Sequence, residues 1–354
     1  MRQLTLLSSI FLGCILFHLN WMATPAEPLP NAQEEKPYTL AIDVDLVNVN
    51  VAVTDPFGKY LHNLKKENFR IFEDKVEQRI TNFSPVDAPF CIGLLLDTSY
   101  SAVNKLGRIQ DEAIHFIQQV HPDDEVMVVS FDDAVHLETD FTQNKNAVER
   151  AIKMTRTGQS TQLYEAVYLA LHDKLRKKRE RKAMVLFTDG VDTSSPTSSA
   201  HETIEEAKEA DTVIYPIYFD TREDVQRLSN GRMPLPQPGH GPQLPLPGPF
   251  PPIGPGSPRQ RQGNNGNVDM EYAQGRHYLQ ELANVSGGTL YVAEHLDNLG
   301  DIFARIAAEL RSQYALGYIS SNQKKDGKFR KISVTVDQPD TIVKAKKGYL
   351  AKKS

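Results

Sequence analysis

Cysteine is nearly absent, with two in 354 residues. Cys14 sits in an apolar N-terminal stretch and Cys91 in the run FCIGLLLD. Once the N-terminal stretch is removed, one thiol cannot make an internal disulfide, so packing must hold the fold, with a bound metal as the remaining staple. Cys91 reads as a small buried hydrophobe. A positive excess is missing too: 40 Lys+Arg stand against 45 Asp+Glu, a net charge of -5, which leaves no electrostatic footprint for nucleic acid. The basic run KLRKKRERK is expected to be a solvated helix end, where cations suit the dipole, rather than a membrane or polyanion patch. Long apolar runs are lacking. Leu4–Phe17 falls short of the roughly 20 residues that span a bilayer. Catalytic signatures are also missing. There is no HExxH, no GxSxG elbow and no glycine-rich phosphate loop, and the ten histidines are scattered, with His115, His172 and His277 in helical patterns. The expectation is a protein that is not an enzyme; metal-assisted hydrolysis is the weaker alternative.

Global disorder is excluded, because 40% hydrophobic and 24% charged residues can build and solubilise a core. Arg2, the short apolar centre and the small-residue exit at Thr24 and Ala26 read as a secretory signal over residues 1–26, cut after Ala26. Loss of Arg2 leaves the mature chain at -6. The expected location is periplasmic or secreted, with no transmembrane helix in the mature chain. The alternatives are an uncleaved N-terminal anchor or a lipid on Cys14. An extended leader follows over 27–40.

Residues 41–86 carry DVDLVNVNVAVTD, alternating apolar and polar side chains with period two, then FRIFED and VEQRITNF, as short strands. Residues 312–354 offer QYALGYIS, FRKISVTV and TIVKAKKGY. Neither end has enough strands for a sandwich alone. Together they make about seven, so one composite β-sandwich is expected, with two separate β appendages as the alternative. Between them, residues 87–311 alternate apolar runs (FCIGLLLD, DEVMVVSFD, KAMVLFTDG, TVIYPIYFD, GGTLYVA) with helical patterns, TQLYEAVYLALHDKLRKK among them. The fold class expected is therefore α/β: a doubly wound, mostly parallel sheet inserted in, or flanked by, the small β-sandwich. Residues 231–264 interrupt it. Eleven of the 22 prolines fall between Pro234 and Pro258, which predicts a disordered surface insertion or, through its PxxP spacing, a site for a polyproline-reading partner.

Ligands of an open parallel sheet collect beyond the carboxyl ends of its strands. IGLLL ends in DTSYS, placing Asp97, Ser99 and Ser101 there. MVLF ends in TDG, placing Asp189, and the loop TGQSTQLYEA places Thr161 just ahead of a helix. Two carboxylates and three hydroxyls, with no His or Cys, suit a hard cation such as Mg²⁺. Two aspartates neutralise a divalent ion, while hydroxyls and waters add no charge and leave a position open for an external carboxylate.

DTSYS before a helix, a threonine before LYEA and TDG after an apolar strand resemble the von Willebrand factor type A domain with its metal-ion-dependent adhesion site. ELANVSGGTLYVAEHLDNLGDIFARIAAEL is similar to that family's closing helix–strand–helix, and the flanking runs resemble exported "VWFA-related" proteins of acidobacteria. The resemblance implies that Asp97, Ser99, Ser101, Thr161 and Asp189 coordinate Mg²⁺ or Mn²⁺. It also implies that a protein partner completes the shell with an Asp or Glu carboxylate. Gln159-Ser160 stands where the family carries Gly-Gly. The function expected is an exported metal-dependent adhesion protein. The alternative is a structural spacer.

Overall fold

The computed structural model describes residues 46–86, 88–223, 225 and 265–353. The expected signal and leader, and all of the Pro-rich insertion with its polyproline-reading partner, lie outside the described residues.

The N-terminal part forms β1 (Leu46–Thr54), β2 (Phe69–Glu73), β3 (Val76–Gln78) and β4 (Ile80–Ser84). β2 and β3 meet in a two-residue turn, Asp74-Lys75, with φ of 48° and 71°. That is the positive-φ pair whose twist suits a tight hairpin, here made without glycine. Asp74 is held on both sides, its N–H donating to Lys331 O at 2.9 Å and its carboxylate accepting from Lys331 N at 3.0 Å.

The middle of the chain forms a six-stranded sheet. Its strands are β5 (Phe90–Asp97), β6 (Glu125–Phe131), β7 (Val135–Thr142), β8 (Arg181–Thr188), β9 (Thr212–Phe219) and β10 (Tyr291–Ala293), ordered β10-β9-β8-β5-β6-β7. All pairs are parallel except β6 with β7. The helices are α1 (Leu106–Gln119), α2 (Lys145–Met154), α3 (Leu163–Tyr168), α4 (Ala200–Glu209), α5 (Asn265–Ser286) and α6 (Leu299–Leu310). Side chains alternate across a strand, so β5 feeds two cores. Ile92, Leu94 and Leu96 pack with Phe116 of α1, Ile152 of α2 and Phe303 of α6. Cys91 and Leu95 pack with Val167 of α3 and Leu279 and Leu282 of α5.

Two local details go beyond the sequence reading. The run TQLYEAVYLALHDKLRKK does not stay α-helical: α3 passes into a π-helical stretch, Leu169–Lys174, and a 3-10 turn, Leu175–Lys177. The antiparallel strand β7 went unread in the sequence, although Val135, Leu137 and Phe141 alternate with charged residues along it.

The C-terminal part forms β11 (Gln313–Ile319), β12 (Phe329–Val336), β13 (Ile342–Ala345) and β14 (Gly348–Leu350). The two ends of the described chain pair, giving antiparallel sheets β13-β1-β11-β4 and β14-β12-β2-β3. Both contribute to one core, with Val49 and Val51 of β1 and Tyr314 and Tyr318 of β11 meeting Phe69 and Ile71 of β2 and Ile332 of β12. The runs VEQRITNF and TIVKAKKGY are each split between the sheets, crossing at Arg79 and at Lys346-Lys347. Glu73, 2% exposed, accepts from Tyr318 (2.8 Å), Ser320 (2.6 Å) and Tyr349 (3.1 Å), which joins β2, β11 and β14.

The sandwich abuts the amino ends of the parallel strands. The basic run expected as a solvated helix end is helical only to Lys177, and its last two residues are buried at the start of β8. Arg181 donates to Val86 O at 2.9 Å and Gln313 O at 2.5 Å, and Lys182 pairs with Asp211, which also accepts from Asn48 at 2.9 Å. Gly287, at φ +81°, ends α5, with Gly288 N donating to Ala283 O at 2.9 Å as in a Schellman cap. A side chain there has no room, since a Cβ on Gly287 would lie 2.5 Å from Lys346 N.

Lys346 is 7% exposed at this junction, and burial, aided by Lys182 and opposed by Asp211, pushes its ammonium down from 10.5 to about 8. Below that value the folded state carries a charge it disfavours. Between about 8 and 10.5 the unfolded chain holds more protons than the folded one, so stability rises with pH there. Lys346→Met should therefore raise unfolding stability at pH 7 by up to about 3 kcal/mol. It should also flatten the rise between pH 8 and 10 in denaturant titrations.

Candidate functional site

β5 and β8 are parallel neighbours in the register Leu96↔Phe187, so Asp97 and Thr188 end their strands side by side. Thr188 Oγ1 donates to Asp97 Oδ2 at 2.7 Å and accepts from Gly190 N–H at 3.0 Å. Asp97 Oδ1 accepts from Ser99 N–H at 3.0 Å, which folds DTSYS back over the strand end. A 3-10 turn, Tyr100–Ala102, then leads into α1.

Ser99, through its amide, and the Ser99 and Ser101 hydroxyls connect the two aspartates. Ser101 Oγ donates to Asp189 Oδ2 at 2.9 Å, and Ser99 Oγ lies 3.0 Å from Ser101 Oγ. Asp189 Oδ1 accepts from Val191 N–H at 3.0 Å, and its Oδ2 also accepts from Thr221 Oγ1 at 2.5 Å. Asp97 is 0% exposed, Ser99 2% and Asp189 2%, while Ser101 is half-buried.

Thr161 lies on the neighbouring loop and is 5% exposed. Its backbone is clamped: N–H to Thr193 Oγ1 at 2.8 Å, and C=O from Thr193 N and Ser194 N, both at 3.0 Å. Ser160 is turned to other work. Its N–H and hydroxyl donate to Asp133 at 2.8 and 2.7 Å, and its Oγ accepts from Ser194 at 2.9 Å. The loop is tied to DTSYS by Gly158 N–H donating to Thr98 O at 3.0 Å, and a Cβ on Gly158 would lie 2.5 Å from Asp132 Cγ.

Burial, and after it the charge of Asp189, push the Asp97 carboxyl up to about 7. Burial raises Asp189 as well, against the hydrogen bonds from Thr221, Val191 and Ser101. Among the described residues neither carboxylate has an ion pair. Buried charges are ordinarily paired or bound to metal. Among the described residues no cluster of three or more His, Cys, Asp or Glu is placed to hold a metal, so a cation here would have to take its remaining ligands from hydroxyls. Asp97, Ser99, Ser101 and Asp189 form a linked run of oxygen donors, which fits a hard divalent cation.

Sequence reading missed three residues that shape the site. Thr188 and Thr221 each follow the apolar run of their strand, the same signal that marked Asp97 and Asp189. Tyr272, whose hydroxyl lies 2.6 Å from Thr221 Oγ1, carries no local signal, because only the packing of α5 brings it there.

A mostly parallel sheet between helices, with oxygen donors converging at its carboxyl edge, defines a ligand-binding α/β domain of the doubly wound class. Residues 92–191 match the family model of the von Willebrand factor type A domain, and the chain therefore carries a domain of that type. No curated protein sequence matches the chain. Several solved structures are similar. An aerotolerance-related membrane protein from Bacteroides fragilis is 16% identical, with 63% of this chain and 98% of that one covered and a TM-score of 0.41. The von Willebrand domain of the type V pilus tip protein Mfa5 from Porphyromonas gingivalis is 12% identical, with 62% and 94% covered and a TM-score of 0.43. A von Willebrand factor type A protein from Catenulispora acidiphila is 9% identical, with 87% and 73% covered and a TM-score of 0.45.

The turn after β8 tolerates little. Gly190 sits at φ +81°, and a Cβ on it would lie 2.8 Å from the backbone of Gly275 in α5. Gly190→Ala should lower unfolding stability by at least about 2 kcal/mol, from left-handed strain and the clash together, as read by denaturant midpoint.

Proposed function

We propose that this chain is an exported, metal-dependent binding protein. In this reading Asp97, Ser99, Ser101, Thr161 and Asp189 hold Mg²⁺, or Mn²⁺ in its place, and an Asp or Glu side chain of a protein partner completes the site. The observation that carries it is the pair of buried carboxylates, linked through the Ser99 amide and the Ser99 and Ser101 hydroxyls and without an ion pair among the described residues. The domain type supports a binding role.

A bound divalent cation would supply a fixed positive charge at the carboxyl edge of the sheet, able to attract an external carboxylate. The chain's own residues do the rest. Asp97 and Asp189 provide the compensating negative charge, and their hydrogen bonds to Thr188, Ser99 N–H and Val191 N–H hold them in place. Ser101 aims its proton at Asp189 and accepts from Ser99, which leaves one oxygen lone pair for a cation. Burial of the set keeps competing water from the carboxylates, which strengthens the electrostatic grip. The proposal takes the site to bind rather than to catalyse.

Export rests on the signal-like residues 1–26. Among the described residues no helix is long and apolar enough to cross a membrane.

Calorimetric titration with Mg²⁺ and Mn²⁺ tests the metal. Wild type should bind, whereas Asp97→Ala and Asp189→Ala should not. In EDTA both variants should melt no lower than wild type, because each removes one of two buried like charges. Metal binding by the variants equal to wild type would overturn the reading. No metal binding by any of the three would favour a structural spacer.

A further inference from the structure

Two hydroxyl chains converge on one oxygen of Asp189, and only one of them lies within the ligand set named above. A carboxylate accepts and cannot donate, so both Ser101 Oγ and Thr221 Oγ1 must spend their single proton on Asp189 Oδ2. The direction of each chain follows. Ser99 donates to Ser101 across 3.0 Å, and Tyr272 OH donates to Thr221 Oγ1 across 2.6 Å. The second chain is sealed from solvent, with Thr221 0% and Tyr272 6% exposed.

Backbone contact sets up this second chain. Gly275 of α5 touches Gly190 in the turn that follows Asp189, and a Cβ on Gly275 would lie 2.5 Å from Gly190 O. Tyr272 precedes Gly275 by three residues and so shares its helix face. The glycine pair thus lets α5 approach until the Tyr272 hydroxyl reaches Thr221. Arg222 strengthens the same corner, pairing with Asp220 and, at 3.0 Å, with Asp269 of α5.

We propose that Thr221 and Tyr272 are positioning residues for the cation site: the relay from α5 through Thr221 holds Asp189 in one orientation and thereby sets divalent-metal affinity. This rests on the metal reading above. An ordered outer partner spares the carboxylate the entropy loss of being fixed on binding, and losing such a partner weakens metal binding about 10–100-fold.

The test compares Mn²⁺ affinity by calorimetry with the thermal midpoint in EDTA, using the full chain. Thr221→Val keeps the shape and removes the hydroxyl, and it should weaken Mn²⁺ binding at least about 10-fold. Thr221→Ser keeps the hydroxyl and should bind Mn²⁺ within about threefold of wild type. Tyr272→Phe removes one oxygen and no packing volume, and it should weaken binding about 3–10-fold. It reads the same relay if the valine variant does not fold. Unchanged affinity in Thr221→Val and Tyr272→Phe would overturn the proposal while leaving the metal reading standing. Equal loss in Thr221→Ser and Thr221→Val, tracking a fall in the metal-free midpoint, would also overturn it, since that is the mark of packing alone. Failure of wild type to bind Mn²⁺ would remove the metal reading and the proposal with it.

Discussion

The constraint on which the site depends is the parallel register of β5 with β8. Parallel neighbours end at the same height, so the pairing Leu96↔Phe187 sets Asp97 beside Thr188 and leaves Asp189 one residue further on. Two carboxylates are then buried at one edge, a costly arrangement unless hydroxyls, amides or a cation compensate. The surrounding loops meet this need. DTSYS turns its amide and hydroxyls inward, the Thr188 hydroxyl caps Asp97, and Thr221 arrives from the adjacent strand β9. The layout of the edge follows from those two charges.

The opposite edge is organised by polar groups of another kind. Arg181 and Asp211 stand at the amino ends of β8 and β9 and bind backbone and side chains of the sandwich. Glu309, in the last turn of α6, accepts from Tyr215 OH at 3.0 Å and pairs with Lys344 of β13. Glycine at 287 lets the two backbones come into contact. Helix α6 is therefore held at its carboxyl end from both the parallel sheet and the sandwich, with only Arg311 and Ser312 separating it from β11.

Much of this was legible in the sequence, where physical periodicity was strong. The buried strands β5, β6, β8 and β9 appear as mostly apolar runs, and β1 shows alternation over Val47–Val51. The oxygen donors could be found because strand ends are where such sheets bind ligands. What escaped depended on tertiary context. β7 is an edge strand whose short alternation is interrupted at Thr139 and lacks the apolar run that marks its neighbours. The breaks at Arg79 and Lys346-Lys347 reflect a change of sheet, which no local residue preference encodes. Tyr272 belongs to the site only because two glycines, far apart in sequence, let a helix lie against a turn.

The pairing of β1 with β11 also governs the order in which the protein can be completed. Its seven register pairs join Leu46–Ala52 to Gln313–Ile319, so the whole α/β domain is a closed loop between them. A chain emerging from its amino end presents β1 through β4 long before β11 exists to cover them. Until then Val47, Val49 and Val51 have no sheet partner from β11, and an exposed apolar strand edge invites aggregation. The α/β domain, rich in neighbouring strand–helix contacts, can condense first and bring its two ends together. Its folding shortens the search that β1 and β11 face, turning a long loop closure into the docking of two nearby strands.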